Sequence, residues 1–106
     1  MNLLMTIFEQ HIEDITRLCS EHKVKELYAF GSVLTDKYNN ESDIDLIVDF
    51  EAMDVLNYAD NYYDLKSSLQ DVLKRPVDLL EERAIKNPYF KQVIHQQKQL
   101  IYGHSY

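Results

Sequence analysis

Two aspartates and a glycine-serine pair stand at a spacing that suits phosphate and metal chemistry. Ten residues separate Gly31 and Ser32 from Asp43 and Asp45, and the apolar run 46–48 follows at once. In a β-strand, alternate side chains leave the same face and each residue rises about 3.3 Å, so Asp43 and Asp45 would project together. Two carboxylates at this reach can share a divalent cation such as Mg²⁺, which prefers oxygen ligands.

Gly31 is one of only two glycines in the chain, and the other, Gly103, stands near its end. Because glycine lacks a Cβ, a Gly-Ser turn that leaves a strand lets backbone N–H groups approach a phosphate closely. A plain turn at the end of a strand is the alternative, and the neighbouring Asp-x-Asp disfavours it. A calcium loop would need a glycine and a glutamate where the chain has Val48 and Asp54, which excludes that kind of site.

A third aspartate, Asp78, stands in an apolar segment later in the chain. An acid among apolar neighbours on a strand is costly to bury unless it is paired or bound to a metal. If its strand lies beside the one that carries Asp43 and Asp45, the three carboxylates form a cluster for two metal ions. The alternative places Asp78 at the solvated edge of an outer strand.

Composition and charge limit the class of protein. The 106 residues predict a single domain, 1–106, and 45% apolar with 27% charged types is typical of a soluble globular protein. No stretch approaches the roughly 20 apolar residues of a membrane span, and the first residues lack the basic start of a signal peptide, which predicts a cytoplasmic protein without membrane contact. The net charge of −7 disfavours a long nucleic acid as partner and favours a basic protein.

Cysteine and histidine usage predicts no further chemistry. Cys19 has no partner for an internal disulfide, which fits a reducing compartment, and it falls on the apolar stripe of a predicted helix. We therefore expect a buried structural thiol. The four histidines show no spacing typical of zinc ligands, so we interpret them as surface or core residues.

Hydrophobic periodicity predicts the elements that position these residues. Asp54 is expected to cap the second helix, and Pro88 to open the last one. The strand that follows Asp43 is apolar on both faces in its middle, so we expect it to be central and covered on both sides. The predicted order is helix 3–21, strand 24–30, strand 43–50, helix 54–74, strand 76–80, helix 88–96, and a segment 99–102 that is either an edge strand or a helical end.

Gly31 and Ser32, then Asp43 and Asp45, then Asp78 on a later strand form a pattern that resembles the minimal nucleotidyltransferases. These are small members of the DNA polymerase β-like superfamily, and the resemblance covers nearly the whole chain. It implies an α+β fold with a small mixed β-sheet flanked by helices. It also implies that the three aspartates bind two Mg²⁺ ions, that Asp78 helps to deprotonate the acceptor, and that Gly31 and Ser32 bind the triphosphate of ATP.

The reaction that the resemblance implies is transfer of AMP from ATP to an acceptor hydroxyl, with pyrophosphate as the leaving group. Lys74 and Arg75, just before the third strand, are nucleotide-binding candidates that would assist this group, as is Lys37. The alternative for each is a solvated surface charge. The chain departs from the common family pattern at Thr35 and Asp36, where an arginine and a glycine usually follow the Gly-Ser pair.

The chain ends 28 residues beyond Asp78, which predicts that it borrows its acceptor surface from another polypeptide. Stand-alone minimal members resemble antitoxins that pair with a helical HEPN ribonuclease toxin and silence it by adenylylating a tyrosine. The leading hypothesis is therefore a Mg²⁺-dependent protein adenylyltransferase that acts as an antitoxin in a hetero-oligomer with a HEPN-type partner.

Two other hypotheses stay open at this point. A binding module that neutralises its partner by contact alone is motivated by Thr35 and Asp36. A small-molecule nucleotidyltransferase that works as a homodimer would need a cleft between protomers, which Tyr58, Tyr62 and Tyr63 could line. Core packing accounts for these tyrosines equally well.

Overall fold

The computed structural model describes residues 3–30 and 43–103. Within these ranges, helices flank a mixed sheet of four strands, which confirms the predicted α+β class. The elements are α1 (Leu3–Gln10), α2 (Ile12–Glu21), β1 (Val24–Phe30), β2 (Ile44–Phe50), α3 (Val55–Leu73), β3 (Val77–Glu81), a 3₁₀ turn (Glu82–Ala84), α4 (Pro88–Gln97) and β4 (Gln99–Tyr102).

The strands lie in the order β3-β2-β1-β4. β1 pairs antiparallel with both β2 and β4, whereas β2 and β3 are parallel and are connected through α3. The segment 99–102 is therefore a strand at the edge of the sheet, which decides between the two alternatives for it. β2 is central, as its apolar middle predicted.

The two faces of the sheet bury separate clusters because side chains alternate along β2. Ile44, Leu46, Val48 and Phe50 face α2 and α3 and form most of the main core with apolar residues of those helices. The opposite face carries Ile47, which packs with Tyr28 of β1 and Ile94 of α4; partly buried side chains around this second cluster are Phe30, Leu80, Ile85 and Leu100. Burial on both faces confirms the sequence-based expectation for β2.

Local chemistry accounts for the ends of α3. The side chain of Asp54 accepts a hydrogen bond from the N–H of Leu56 at 3.1 Å, which confirms it as the N-cap. At the other end, Lys74 adopts a left-handed conformation with φ of 59°. Pro76 follows two residues later and disfavours helical geometry in the residue before it. The predicted helix 54–74 is confirmed to within its capping residues.

The single helix predicted over 3–21 is wrong, because the chain breaks at His11 into α1 and α2. His11 has φ −117° and ψ 17°, and its N–H donates to the C=O of Phe8 at 3.2 Å, three residues back. Phe8 and Ile15, one on each helix, lie in the same core. Ile12, an apolar residue of the predicted helix, is 39% exposed. No proline or glycine marks this break, so the sequence carries no local signal for it.

Cys19 and His22 belong to the packing of α2. Burial raises the pKa of the Cys19 thiol to about 12, which confirms a structural rather than a nucleophilic thiol. The buried ring of His22 lies with Nδ1 2.7 Å from the C=O of Leu18 and Nε2 2.7 Å from the Asp64 carboxylate, and it thereby joins the end of α2 to α3. In the described ranges, no helix is long and apolar enough to cross a membrane.

Candidate active site

Asp45 and Asp78 are direct neighbours on the parallel strands β2 and β3. The N–H of Ile44 donates to the C=O of Pro76 at 3.0 Å, which aligns the starts of the two strands. Paired residues of neighbouring strands leave the same face about 4.8 Å apart, so the two carboxylates project side by side. The expectation that the strand with Asp78 lies beside the strand with Asp45 is confirmed. Asp78 is also exposed, and β3 is an outer strand of the sheet. Asp78 therefore lies both beside the strand of Asp45 and at a solvated edge, the two placements that the sequence left open.

Negative charge is concentrated around Asp45. Burial raises the pKa of the Asp45 carboxyl, and the charges of Asp78 and of Asp43 raise it further. Asp43 is exposed and precedes β2 directly, and Asp78 is exposed on β3. In the described part of the chain, the charges that shift Asp45 are all of its own sign. Such a group of carboxylates is stabilised when a cation binds.

These carboxylates fit a hard divalent cation such as Mg²⁺, which prefers oxygen ligands. A bound cation would also relieve the repulsion between the carboxylates. Strand pairing brings Asp45 and Asp78 together, whereas Asp43 lies just outside the strand. Among residues 3–30 and 43–103, no group of three or more histidine, cysteine, aspartate or glutamate side chains is arranged to hold a metal ion. The site is therefore a pair of adjacent carboxylates with a third nearby, not a closed cage.

Phe30 is the direct partner of Asp45 on the antiparallel strand β1. Phe30, Asp45 and Asp78 thus form one row across three strands, which we call the Asp45 row. Phe30 is also the last described residue before the candidate phosphate-binding pair. The sequence-predicted residues Gly31, Ser32, Thr35, Asp36 and Lys37 lie outside the described residues.

The structure places the two other nucleotide-binding candidates at the same end of the sheet as the acids. Lys74 is exposed at the C-cap of α3, and Arg75 is partly buried. The next residue, Pro76, is held against the start of β2 by the hydrogen bond from Ile44. Both basic residues therefore stand at the start of β3, close in sequence to Asp78.

The far end of the same sheet face holds a cluster that the sequence did not reveal. Arg83 Nε lies 3.5 Å from Asp49 Oδ1, and Lys98 Nζ lies 3.3 Å from Glu82 Oε1 and 4.1 Å from the centre of the Tyr28 ring. These residues come from β1, β2, the 3₁₀ turn and the end of α4, so they form no motif that the sequence would reveal. Asp49, Glu82, Arg83 and Lys98 border a cavity of about 640 Å³ beside α4. The other residues that line it are Ile85, Pro88, Lys91, Gln92, Ile94 and His95.

Packing explains two of the three tyrosines on α3. Tyr58 and Tyr62 stack with ring centroids 6.5 Å apart and lie against the main core. The Tyr58 hydroxyl donates to Glu81, and the Tyr62 hydroxyl donates to the C=O of Leu79. Both hydroxyls are thereby hydrogen-bonded to β3, whereas the third tyrosine, Tyr63, is exposed.

Comparison with known proteins agrees with this geometry. A family model described as a nucleotidyltransferase domain matches residues 13–101. A Methanocaldococcus jannaschii relative named "Putative protein adenylyltransferase MJ0128" is 39% identical over 97 residues, which cover 86% of this chain and 93% of the relative.

Two solved structures have similar folds. The first is described as a "putative minimal nucleotidyltransferase" and has a TM-score of 0.73 at 28% identity, with 91% of this chain and 93% of that chain covered. The second is a chain from the complex of tri-AMPylated Shewanella oneidensis HEPN toxin with MNT antitoxin. It has a TM-score of 0.62 at 23% identity and covers 92% of this chain and 73% of that chain. At this identity the second likeness shows the fold alone.

Proposed function

Because this chain belongs to the nucleotidyltransferase domain family, we propose that it is a Mg²⁺-dependent protein adenylyltransferase. In this proposal it transfers AMP from ATP to a tyrosine hydroxyl of a HEPN-type ribonuclease and so acts as an antitoxin. The observation that carries the proposal is the pairing of Asp45 with Asp78 on one face of the sheet. No positive charge is among the causes that shift the pKa of Asp45.

The reaction forms a bond between the acceptor oxygen and the α-phosphorus of ATP and breaks the bond from that phosphorus to the bridging oxygen. Asp45 and Asp78, with Asp43 beside them, would hold the divalent cations. Bound cations neutralise phosphate charge and favour in-line displacement. Asp78 takes the proton of the acceptor hydroxyl, directly or through water. Its carboxylate is accessible for this step because it is exposed on the outer strand. Pyrophosphate leaves with its charge balanced by Lys74 and Arg75.

Support for a protein acceptor comes from the relatives. The M. jannaschii relative carries the name of a protein adenylyltransferase, and the S. oneidensis complex contains an AMPylated HEPN toxin with its MNT antitoxin. The net charge of −7 favours a basic partner by electrostatic complementarity.

Label transfer tests this function. Purified protein, Mg²⁺ and ATP labelled at the α-phosphate are mixed with a lysate of the native host, and proteins are separated by size. We expect a labelled band with the wild type, no band with Asp45→Asn or with EDTA, and a normal band with Asp49→Asn. Asp49 is the matched control because it lies on the same strand and the same face.

The identity of the labelled protein tests the partner. Mass spectrometry of the band should find AMP on a tyrosine of a HEPN-type ribonuclease. Label that persists in Asp45→Asn would contradict the proposed mechanism, and label on a small molecule instead of a protein would contradict the proposed acceptor.

A binding module that neutralises its partner by contact alone is a second candidate function. It is favoured by one observation, that the carboxylates in the described residues are not arranged as a closed metal site. In that case the Asp45→Asn variant would still neutralise ribonuclease activity in a co-expression assay, and no label would be transferred by the wild type.

A further inference from the structure

One row of the sheet places an aromatic ring beside the two acids. Phe30 pairs with Asp45 in antiparallel register, and Asp45 pairs with Asp78 in parallel register. Direct partners share a face in both kinds of pairing, so all three side chains leave the face that α4 covers. The aromatic ring thus lies one strand from Asp45, on the side away from Asp78.

A second ring extends this aromatic side. Phe90 meets Phe30 edge to face, with ring centroids 5.9 Å apart and an interplanar angle of 70°. Asn87 holds the first turn of α4 in place, because its side chain accepts hydrogen bonds from the N–H groups of Tyr89 at 2.9 Å and Phe90 at 3.2 Å. The helix cap therefore holds the backbone at Phe90, and the contact with Phe30 holds its ring.

Phe90 is more exposed to solvent than a residue of α4 that only packs against the sheet. It is 36% exposed, whereas Ile94, one turn later on the same helix, is 4% exposed. In an edge-to-face pair, at least one ring presents a face that the other ring does not cover. Phe30 and Phe90 therefore offer a partly open aromatic surface at the border of the Asp45 row.

A ligand that fits this row has an anionic end for cations held by the carboxylates and a flat apolar end for the rings. A nucleoside triphosphate has both, because aromatic side chains stack with nucleobases of every kind. We propose that Phe30 and Phe90 form the surface on which the base of the nucleotide stacks, with Phe90 as its exposed and accessible member. This inference rests on the proposed function, since it assigns the base-binding part of the same site.

Binding measurements with two ligands test the inference. Isothermal titration in the presence of Mg²⁺ compares ATP, which has a base, with inorganic tripolyphosphate, which has none. Phe90→Leu keeps an apolar side chain of similar volume and removes the ring, Phe90→Tyr keeps a ring, and Tyr89→Ala changes an exposed neighbour in the same turn.

We expect Phe90→Leu to weaken ATP binding at least about fivefold, the lower end of the effect of one aromatic stack, and to leave tripolyphosphate binding within about twofold of the wild type. Phe90→Tyr and Tyr89→Ala should bind ATP as the wild type does. An unchanged ATP affinity in Phe90→Leu, or an equal loss for both ligands, would overturn the inference. A merely structural role of the ring would produce the equal loss together with a lower Tm.

The same experiment separates this inference from the proposed function. If wild-type protein transfers label from ATP while Phe90→Leu keeps its ATP affinity, only the base-binding assignment fails. If wild-type protein neither binds ATP nor transfers label, the proposed function fails as well.

Discussion

Two aspartates on one face of β2, Asp45 and Asp49, have opposite surroundings although they share a strand and a residue type. Burial raises the pKa of both carboxyls. Around Asp45 the neighbouring charges are those of Asp78 and Asp43, which raise its pKa further. Beside Asp49 stands the guanidinium of Arg83 at 3.5 Å, which opposes the rise. The charges of Glu82 and Glu26 also raise the pKa of Asp49, so the two acids differ in whether a cation of the described residues opposes the rise, and not in burial.

We call these two regions the acid end and the paired end of the sheet face. At the paired end, Glu82 is also matched, by Lys98 at 3.3 Å, and the same ammonium lies over the Tyr28 ring. Asp49 and Glu82 each have a cation of the protein itself, which is typical of structural ion pairs. At the acid end, no cation of the described residues is among the charges that shift the pKa of Asp45, and such unbalanced carboxylates are typical of a functional site.

The largest expected effect concerns the chemistry of the acid end. Asp78→Asn should lower the rate of AMP transfer about 1000-fold, because ligands of catalytic cations contribute several kcal/mol to transition-state stabilisation. Glu82→Gln, at the paired end, should stay within about twofold of the wild type. Single-turnover label transfer measures both. Equal losses of transfer rate in the two variants would contradict the assignment of the chemistry to the acid end.

The next effect concerns the residue between the two ends. Ile47 is fully buried beneath α4, and Ile47→Ala should lower the free energy of unfolding by about 3 kcal/mol through lost burial and a cavity. Urea denaturation followed by circular dichroism measures this change. Leu56→Ala serves as the control, because Leu56 is 86% exposed and its truncation should cost less than about 0.5 kcal/mol.

A smaller effect is expected at the paired end. Arg83→Met should lower the free energy of unfolding by about 1 kcal/mol at pH 7, because Asp49 loses its cation and the C=O of Phe50 loses a donor. Burial raises the pKa of Asp49, and the guanidinium opposes part of that rise. The stabilisation by the guanidinium is therefore present while Asp49 is ionised and is lost as the pH falls through the pKa of Asp49. Chemical denaturation from pH 7 to pH 4 should show the difference shrinking. Arg17→Met, which breaks only exposed pairs on α2, should change stability little at any pH.

The smallest effect has the opposite sign. The folded protein raises the pKa of Asp45, so the folded state binds this proton more tightly than the unfolded chain, and stability falls as the pH rises above the ordinary aspartate value of about 3.9. Asp45→Asn should therefore slightly raise Tm at pH 7 without Mg²⁺. The gain in stability should be less than about 1 kcal/mol, because Asp45 is only partly buried. Added Mg²⁺ should raise the Tm of the wild type more than that of the variant. A variant less stable than the wild type at pH 7 would contradict the repulsion at the acid end.

Much of the fold could be predicted because its signals are local. The bounds of α3 follow from the Asp54 cap and from the apolar period up to Pro76, and the central place of β2 follows from apolar residues on both of its faces. The break at His11 could not be predicted, because the segment 3–21 contains neither proline nor glycine and its apolar period continues across the break.

By itself, the sequence determined the types of the reactive residues and the place of Asp45 and Asp78 near the starts of two strands, because the alternation and the length of apolar segments are local signals. Only the tertiary structure decided that Asp45 stands beside Asp78, since that register is set by the packing of apolar partners such as Ile44 and Val77 across a parallel pair. It also decided that Arg83 reaches Asp49 and that Phe90 reaches Phe30. These contacts join segments far apart in the chain, and burial of the second face beneath α4 brings them together.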